Sequence, residues 1–154
     1  MNTDEQIKIA EHLQKYELGL SHLYATYARL FPEHREFWEN LSVEENTHAF
    51  MLSTFKELIE KGDYSLTPRR FSLSAIENNM QKLSSFQNYA MKSGTSLKEA
   101  LESAIEIETG IIENRTFDSH EDDPPEVKRI LDALAEDTRR HAQTIKDLYR
   151  RLYG

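Results

Sequence analysis

Apolar residues recur at steps of three and four along four long stretches of the 154-residue chain, a period that belongs to amphipathic helices. The first stretch runs from about Asp4 to Leu30, with Leu13, Glu17, Leu20, Tyr24, Tyr27 and Phe31 on one line, and Pro32 breaks it. The second, about Glu33 to Lys61, carries Trp38, Leu41, Glu45, His48, Leu52, Phe55 and Ile59, with Gly62 placed to cap its end. The third, about Ser96 to Ser119, carries Leu97, Leu101, Ala104, Glu108, Ile111 and Arg115. The fourth, about Pro124 to Tyr153, carries Val127, Leu131, Leu134, Thr138, His141, Ile145, Leu148 and Leu152. Asp123 is placed as its N-cap and Pro124 at its first helical position.

Between the second and third stretches, Asp63 to Ser72 reads as a loop containing Pro68. Leu73 to Lys92 reads as a lesser helix (Ile76, Met80, Leu83, Phe86, Ala90), closed by the turn Ser93-Gly94-Thr95-Ser96. Short connection, long crossover, short connection is the wiring of an all-α, ferritin-like four-helix bundle, two antiparallel hairpins joined by one traverse. The length predicts one domain, 1–154. Five Gly and four Pro are too few for a chain of short strands and turns. A net charge of −8 argues against nucleic acid or an anionic membrane as partner. With no Cys, disulfides, thiolate-held clusters and thiol nucleophiles are excluded. No basic, apolar leader and no long apolar run appear, so the expected setting is cytoplasmic, without a membrane span.

A seam that only packs is apolar throughout. Here the middle of each is polar: Glu17 in the first, Glu45 and His48 in the second, Glu108 in the third, His141 in the fourth. In an antiparallel bundle these mid-helix positions converge at one level, and the i, i+3 spacing puts Glu45 and His48 on one face. Carboxylates bridge cations and imidazoles serve as neutral terminal ligands, so the pattern points to a metal centre in the bundle core. The chain also looks internally duplicated at an offset of 91 to 93 residues. Glu17-Leu18-Gly19-Leu20 matches Glu108-Thr109-Gly110-Ile111, and the line Leu41, Glu45, His48, Leu52, Phe55, Ile59 matches Leu134, Thr138, His141, Ile145, Leu148, Leu152. Glycines inside two helices at matching places predict close backbone approach beside each Glu. Two related hairpins are then expected about a pseudo-two-fold axis.

The segments Tyr16-Glu17, Leu23-Tyr24, Phe37-Trp38 and Glu44-Glu45-Asn46-Thr47-His48-Ala49 resemble the rubrerythrin-like branch of the ferritin-like superfamily. So do the run from Glu99 to Glu108 and the run from Ala135 to Ala142. The resemblance covers essentially the whole chain, and Glu17 followed by Glu45-x-x-His48 is its most specific part. It implies a di-iron centre between four helices, reaction with peroxide or oxygen, and ligation by Glu17, Glu45, His48, Glu108 and His141. Manganese or zinc in place of iron, or a single metal, stays open, and a homodimer is implied because the family often pairs.

The second half departs from that pattern. Thr138 stands where a second Glu-x-x-His would begin, and Ile111 where another Glu often stands. Arg115 on the same seam brings a cation towards the layer, and Asp137, one residue off the seam, is a short substitute ligand. The rubredoxin-type module of a typical rubrerythrin needs four cysteines, so any redox cycle here requires a separate electron donor. The competing reading is a metal-free polar layer satisfied by Arg115, tyrosines and water: three Glu against one Arg leave a charge of −2 to balance. Three functions follow: a peroxidase or oxidase, a metal-binding protein without turnover, or a metal-free interaction module. Tyr24 either packs or hydrogen-bonds a ligand, and His12, His22, His34 and His120 are expected in solvent.

Overall fold

The computed structural model describes residues 1–67 and 71–154; the expected loop residue Pro68 lies outside them. Among the described residues the fold is all-helical, with five α-helices: α1 (Thr3–Leu30), α2 (Arg35–Lys61), α3 (Leu73–Ser93), α4 (Leu97–Glu113) and α5 (Pro125–Tyr153). None of them is long and apolar enough to cross a membrane. The chain divides into two compact units, Met1–Asn88 and Tyr89–Gly154.

In the first unit, α1 starts at a capping box. Asn2 Oδ1 accepts from the Glu5 N–H at 2.8 Å and Glu5 Oε2 accepts from the Asn2 N–H at 3.1 Å. Pro32 ends α1 as expected and opens a single 3-10 turn, Pro32–His34, before α2. The two helices form an antiparallel hairpin. Ser21 Oγ donates to the Ser42 carbonyl at 2.8 Å and Ser42 Oγ to the Ser21 carbonyl at 2.7 Å. Nearer the turn, Trp38 is fully buried against Tyr27 (4.9 Å between centroids), Phe37 (5.1 Å) and Tyr24 (5.6 Å). Towards the open end, Ile9, Leu13, Leu52, Phe55 and Ile59 close the core. Gly62 caps α2 as expected: at φ +79° it takes the left-handed turn that frees Asp63 N–H to reach the Leu58 carbonyl at 2.8 Å.

The crossover is anchored to α1. Leu66 N–H donates to Gln6 Oε1 at 2.8 Å, and Tyr64 packs at a tilt of 55° against Phe55 of α2, 5.6 Å between centroids. α3 then runs parallel to α1: His12 Nε2 lies 3.9 Å from Glu77, Leu83 sits on Gly19, and Gln87 Nε2 donates to Thr26 Oγ1 at 2.9 Å. His12, expected in solvent, is therefore half-buried, with Nδ1 placed 2.8 Å from the Lys8 carbonyl.

In the second unit, Ser96 and Glu99 build another capping box at the head of α4, each bond 3.1 Å. α4 stops at Glu113, six residues short of the expected Ser119. Arg115 takes the left-handed conformation (φ +53°), Arg115 N–H meets the Ile112 carbonyl and Thr116 N–H the Ile111 carbonyl. This is the helix-ending geometry usually given to glycine, here on an arginine. The expected cap of α5 also shifts. Pro124 (φ −54°, ψ 145°) is the N-cap, Pro125 opens the helix, and no side chain caps it. A residue before proline is pushed out of the helical region, so the second proline moves the boundary by one. Asp123 instead accepts from the His120 N–H at 2.7 Å inside the loop. Val127, Leu131, Leu134, Ile145 and Leu148 are buried along α5, whereas Leu152, expected on the same line, is exposed.

Candidate metal centre

All five side chains singled out by the seams are buried: Glu17, His48, Glu108 and His141 are each 1% exposed and Glu45 2%. In the first unit α1 supplies Glu17 and α2 supplies Glu45 and His48, one turn beyond the Ser21–Ser42 contact that draws the two helices together. His48 Nδ1 stands 3.4 Å from Glu45 Oε2 and 3.9 Å from Glu17 Oε2. One ligand atom from each of the three lies within 4.8 Å of the others.

These separations fit donors around a cation. Charge-assisted N–H···O bonds close to roughly 2.7–2.9 Å. Donors at about 2.1 Å from a tetrahedral ion stand about 3.4 Å apart. Two carboxylates and an imidazole form a mixed hard and borderline set, suited to iron, manganese or zinc. Two carboxylates taken out of water together also need their charge offset, by a bound cation, by protons on the carboxylates or by a charged His48, since an uncompensated buried ion costs several kcal/mol, by order of magnitude.

The second unit repeats half of this. Glu108 on α4 and His141 on α5 face each other, with His141 Nδ1 3.7 Å from Glu108 Oε1. The equivalent of Glu45 is Thr138, buried, whose hydroxyl donates to the Leu134 carbonyl one turn back at 2.7 Å. Asp137 does not replace it. Its carboxylate is one-third exposed and pairs with Arg140 at 3.1 Å. Arg115 does not reach the layer either: with α4 ended at Glu113, its side chain is 83% exposed and stands 3.8 Å from Asp118. The expected arginine counter-charge is thus absent from the Glu108 half-site.

Tyr24 is fully buried against Trp38. Of the matched glycines, Gly19 lies close to a neighbouring element, though to the side chain of Leu83 and not to backbone as expected: an added Cβ would lie 2.9 Å from Leu83 Cδ2. Gly110 does not, having nothing within 4 Å of that position. Two local features were invisible in the seam pattern. The reciprocal serines, Ser21 and Ser42, look like ordinary surface residues in sequence, and only their i+4 and i−3 offsets from Glu17 and Glu45 hint at a role. A recess beside Thr138 is lined in part by Phe117, which is buried in the loop that follows the early end of α4. Comparison with known proteins returns no matching family model, no matching curated protein and no matching solved structure.

Proposed function

We propose that this chain is a metal-binding helical protein whose tightly held ion sits among Glu17, Glu45 and His48, and that it works in the manner of rubrerythrin-like proteins. The observation that carries the reading is the spacing of three buried donors at 3.4 and 3.9 Å, wider than direct hydrogen bonds and suited to an intervening cation. The repeated Glu–His pair, Glu108 with His141, supports it, because the same contact recurs at the matching place in the duplicated sequence. On this reading the fold is of the ferritin-like kind, iron is the metal of choice, and peroxide or oxygen is the reacting molecule. An electron donor is a separate protein, and a homodimer in the cytoplasm is the working form. Bound iron supplies the redox chemistry, while the chain contributes a dry, preformed donor set.

Elemental analysis of protein purified with iron present tests the first step. The expected result is about one iron per chain, falling below about 0.2 in Glu45→Ala, a cut-off that allows for partial loading. Less than that in the unaltered chain, with no change in the variant, overturns metal binding. Peroxide consumption with a surrogate reductant tests the second step: iron-loaded protein that is inert leaves a metal-binding protein without turnover.

A further inference from the structure

Away from the polar layer, α1 and α3 enclose a groove of about 300 Å³ that lies wholly in the first unit. Its walls are two helix faces. Lys15, Gly19 and His22 stand at i, i+4 and i+7 on α1, and Met80, Leu83 and Gln87 at i, i+3 and i+7 on α3. The floor is apolar: Tyr16 and Leu83 are buried, Met80 is half-buried, and Leu83 sits on Gly19, where no side chain intervenes. The walls are also tied together. Gln87 Nε2 donates to Thr26 Oγ1 at 2.9 Å, and that hydroxyl donates to the His22 carbonyl at 3.1 Å.

The charge of the groove runs against that of the chain. Acids outnumber bases by 27 to 19 overall, yet among the described residues no carboxylate lines it, while the Lys15 ammonium and the His22 imidazole do. Both side chains are exposed, and neither has an ion pair or hydrogen bond among the described residues. Two acids close by in sequence are engaged elsewhere. Glu11, one turn before Lys15, pairs with Lys56 at 3.3 Å, and Glu77, one turn before Met80, stands 3.9 Å from His12. A mainly apolar cleft of this size with a few polar groups at its rim is the usual form of a small-molecule site.

We propose that this groove binds a medium-chain, unbranched carboxylate, with the carboxylate on Lys15 and the hydrocarbon chain laid across Tyr16, Gly19, Met80 and Leu83. Lys15 and His22 are two turns apart, roughly 10 Å along the helix axis, about the extended length of an eight-carbon acid. The proposal is independent of the metal reading, since none of the five buried donors lines the groove.

The test is isothermal titration calorimetry with octanoate, hexanoate and octylammonium. The unaltered chain is expected to take one octanoate, about tenfold more tightly than octylammonium, against the pull of its net charge of −8. Hexanoate, two methylenes shorter, binds about four- to tenfold more weakly in a groove open along one side. Lys15→Glu inverts the order of the two octyl probes. Ser84→Trp, which lays an indole over the floor from an exposed position on the rim, lowers octanoate affinity at least about tenfold. No binding of octanoate by the unaltered chain, or equal binding of the two octyl probes, overturns the proposal. A preference that Lys15→Glu leaves in place also overturns it, as does an affinity that Ser84→Trp leaves unchanged, because each puts the ligand elsewhere. Both substituted positions are exposed, and circular dichroism of each variant confirms that the helices are retained.

Discussion

In the first hairpin α1 continues for 13 residues beyond Glu17 and ends at Leu30, while in the second α4 continues for only five beyond Glu108 and ends at Glu113. The chain distance from the glutamate to the matching histidine is nearly the same, 31 residues against 33. What differs is how that length is used. The first hairpin spends it on helix, so Tyr24, Tyr27 and Trp38 wall the polar layer on the turn side. The second spends it on a loop, with Phe117 folded in beside Thr138 and a recess left open. A duplicated unit can thus keep its central imidazole–carboxylate contact, 3.9 Å in one copy and 3.7 Å in the other, while one copy loses the third donor and the wall around it.

The sharpest way to break this comparison is to remove the two histidines separately. His48→Ala is expected to lower metal affinity at least about 100-fold, and His141→Ala less than about tenfold, as read by competition with a chromogenic chelator. Equal losses would mean that the two half-sites are energetically alike despite their different donor sets.

The glycines give a smaller contrast. Gly110→Ala meets nothing within 4 Å, so it is expected to stabilise the protein by about 1 kcal/mol through helix propensity alone. Gly19→Ala gains the same propensity but pushes on Leu83 Cδ2, a contact of a kind that costs about 1–3 kcal/mol, and so nets zero or a loss. Thermal melts of both variants, and of Gly19→Ala combined with Leu83→Ala, check this. If the double variant shows no coupling between the two sites, Leu83 is not what restrains position 19.

The finest contrast is at the head of α4. Backbone and side-chain hydrogen bonds from Ser96, and then the Tyr89 hydroxyl at 3.0 Å, hold the Glu99 carboxyl below the usual carboxylate range. A carboxyl lowered in the folded state stabilises above its unfolded pKa, and that contribution is lost as pH falls through the folded value. The advantage of the unaltered chain over Glu99→Gln in melting temperature is therefore expected at neutral pH and absent at acid pH. An advantage that does not change with pH would assign it to packing rather than charge.

The parts of the fold that could be read from sequence are those with chemical punctuation. Pro32 and Gly62 mark their boundaries because one lacks an N–H and the other tolerates positive φ. The end of α4 has no such mark. The apolar period runs on past Glu113, and an arginine takes the left-handed turn, a conformation that no spacing rule assigns to it. The burial of Glu17, Glu45, His48, Glu108 and His141 was legible because an ionisable group on an apolar seam breaks a rule and so stands out. Thr138 breaks none, since its hydroxyl satisfies itself on the preceding turn, so its neighbouring recess could be found only in three dimensions.

Trp38 is the chain's sole tryptophan, and it lies wholly inside the α1–α2 hairpin, ringed by Tyr24, Tyr27 and Phe37. Indole fluorescence is therefore a one-sided optical gauge, reporting the loosening of residues 1–88 and blind to the rest, while far-ultraviolet dichroism averages over every helix. Whether the two signals melt together or apart measures directly how strongly one repeat depends on the other.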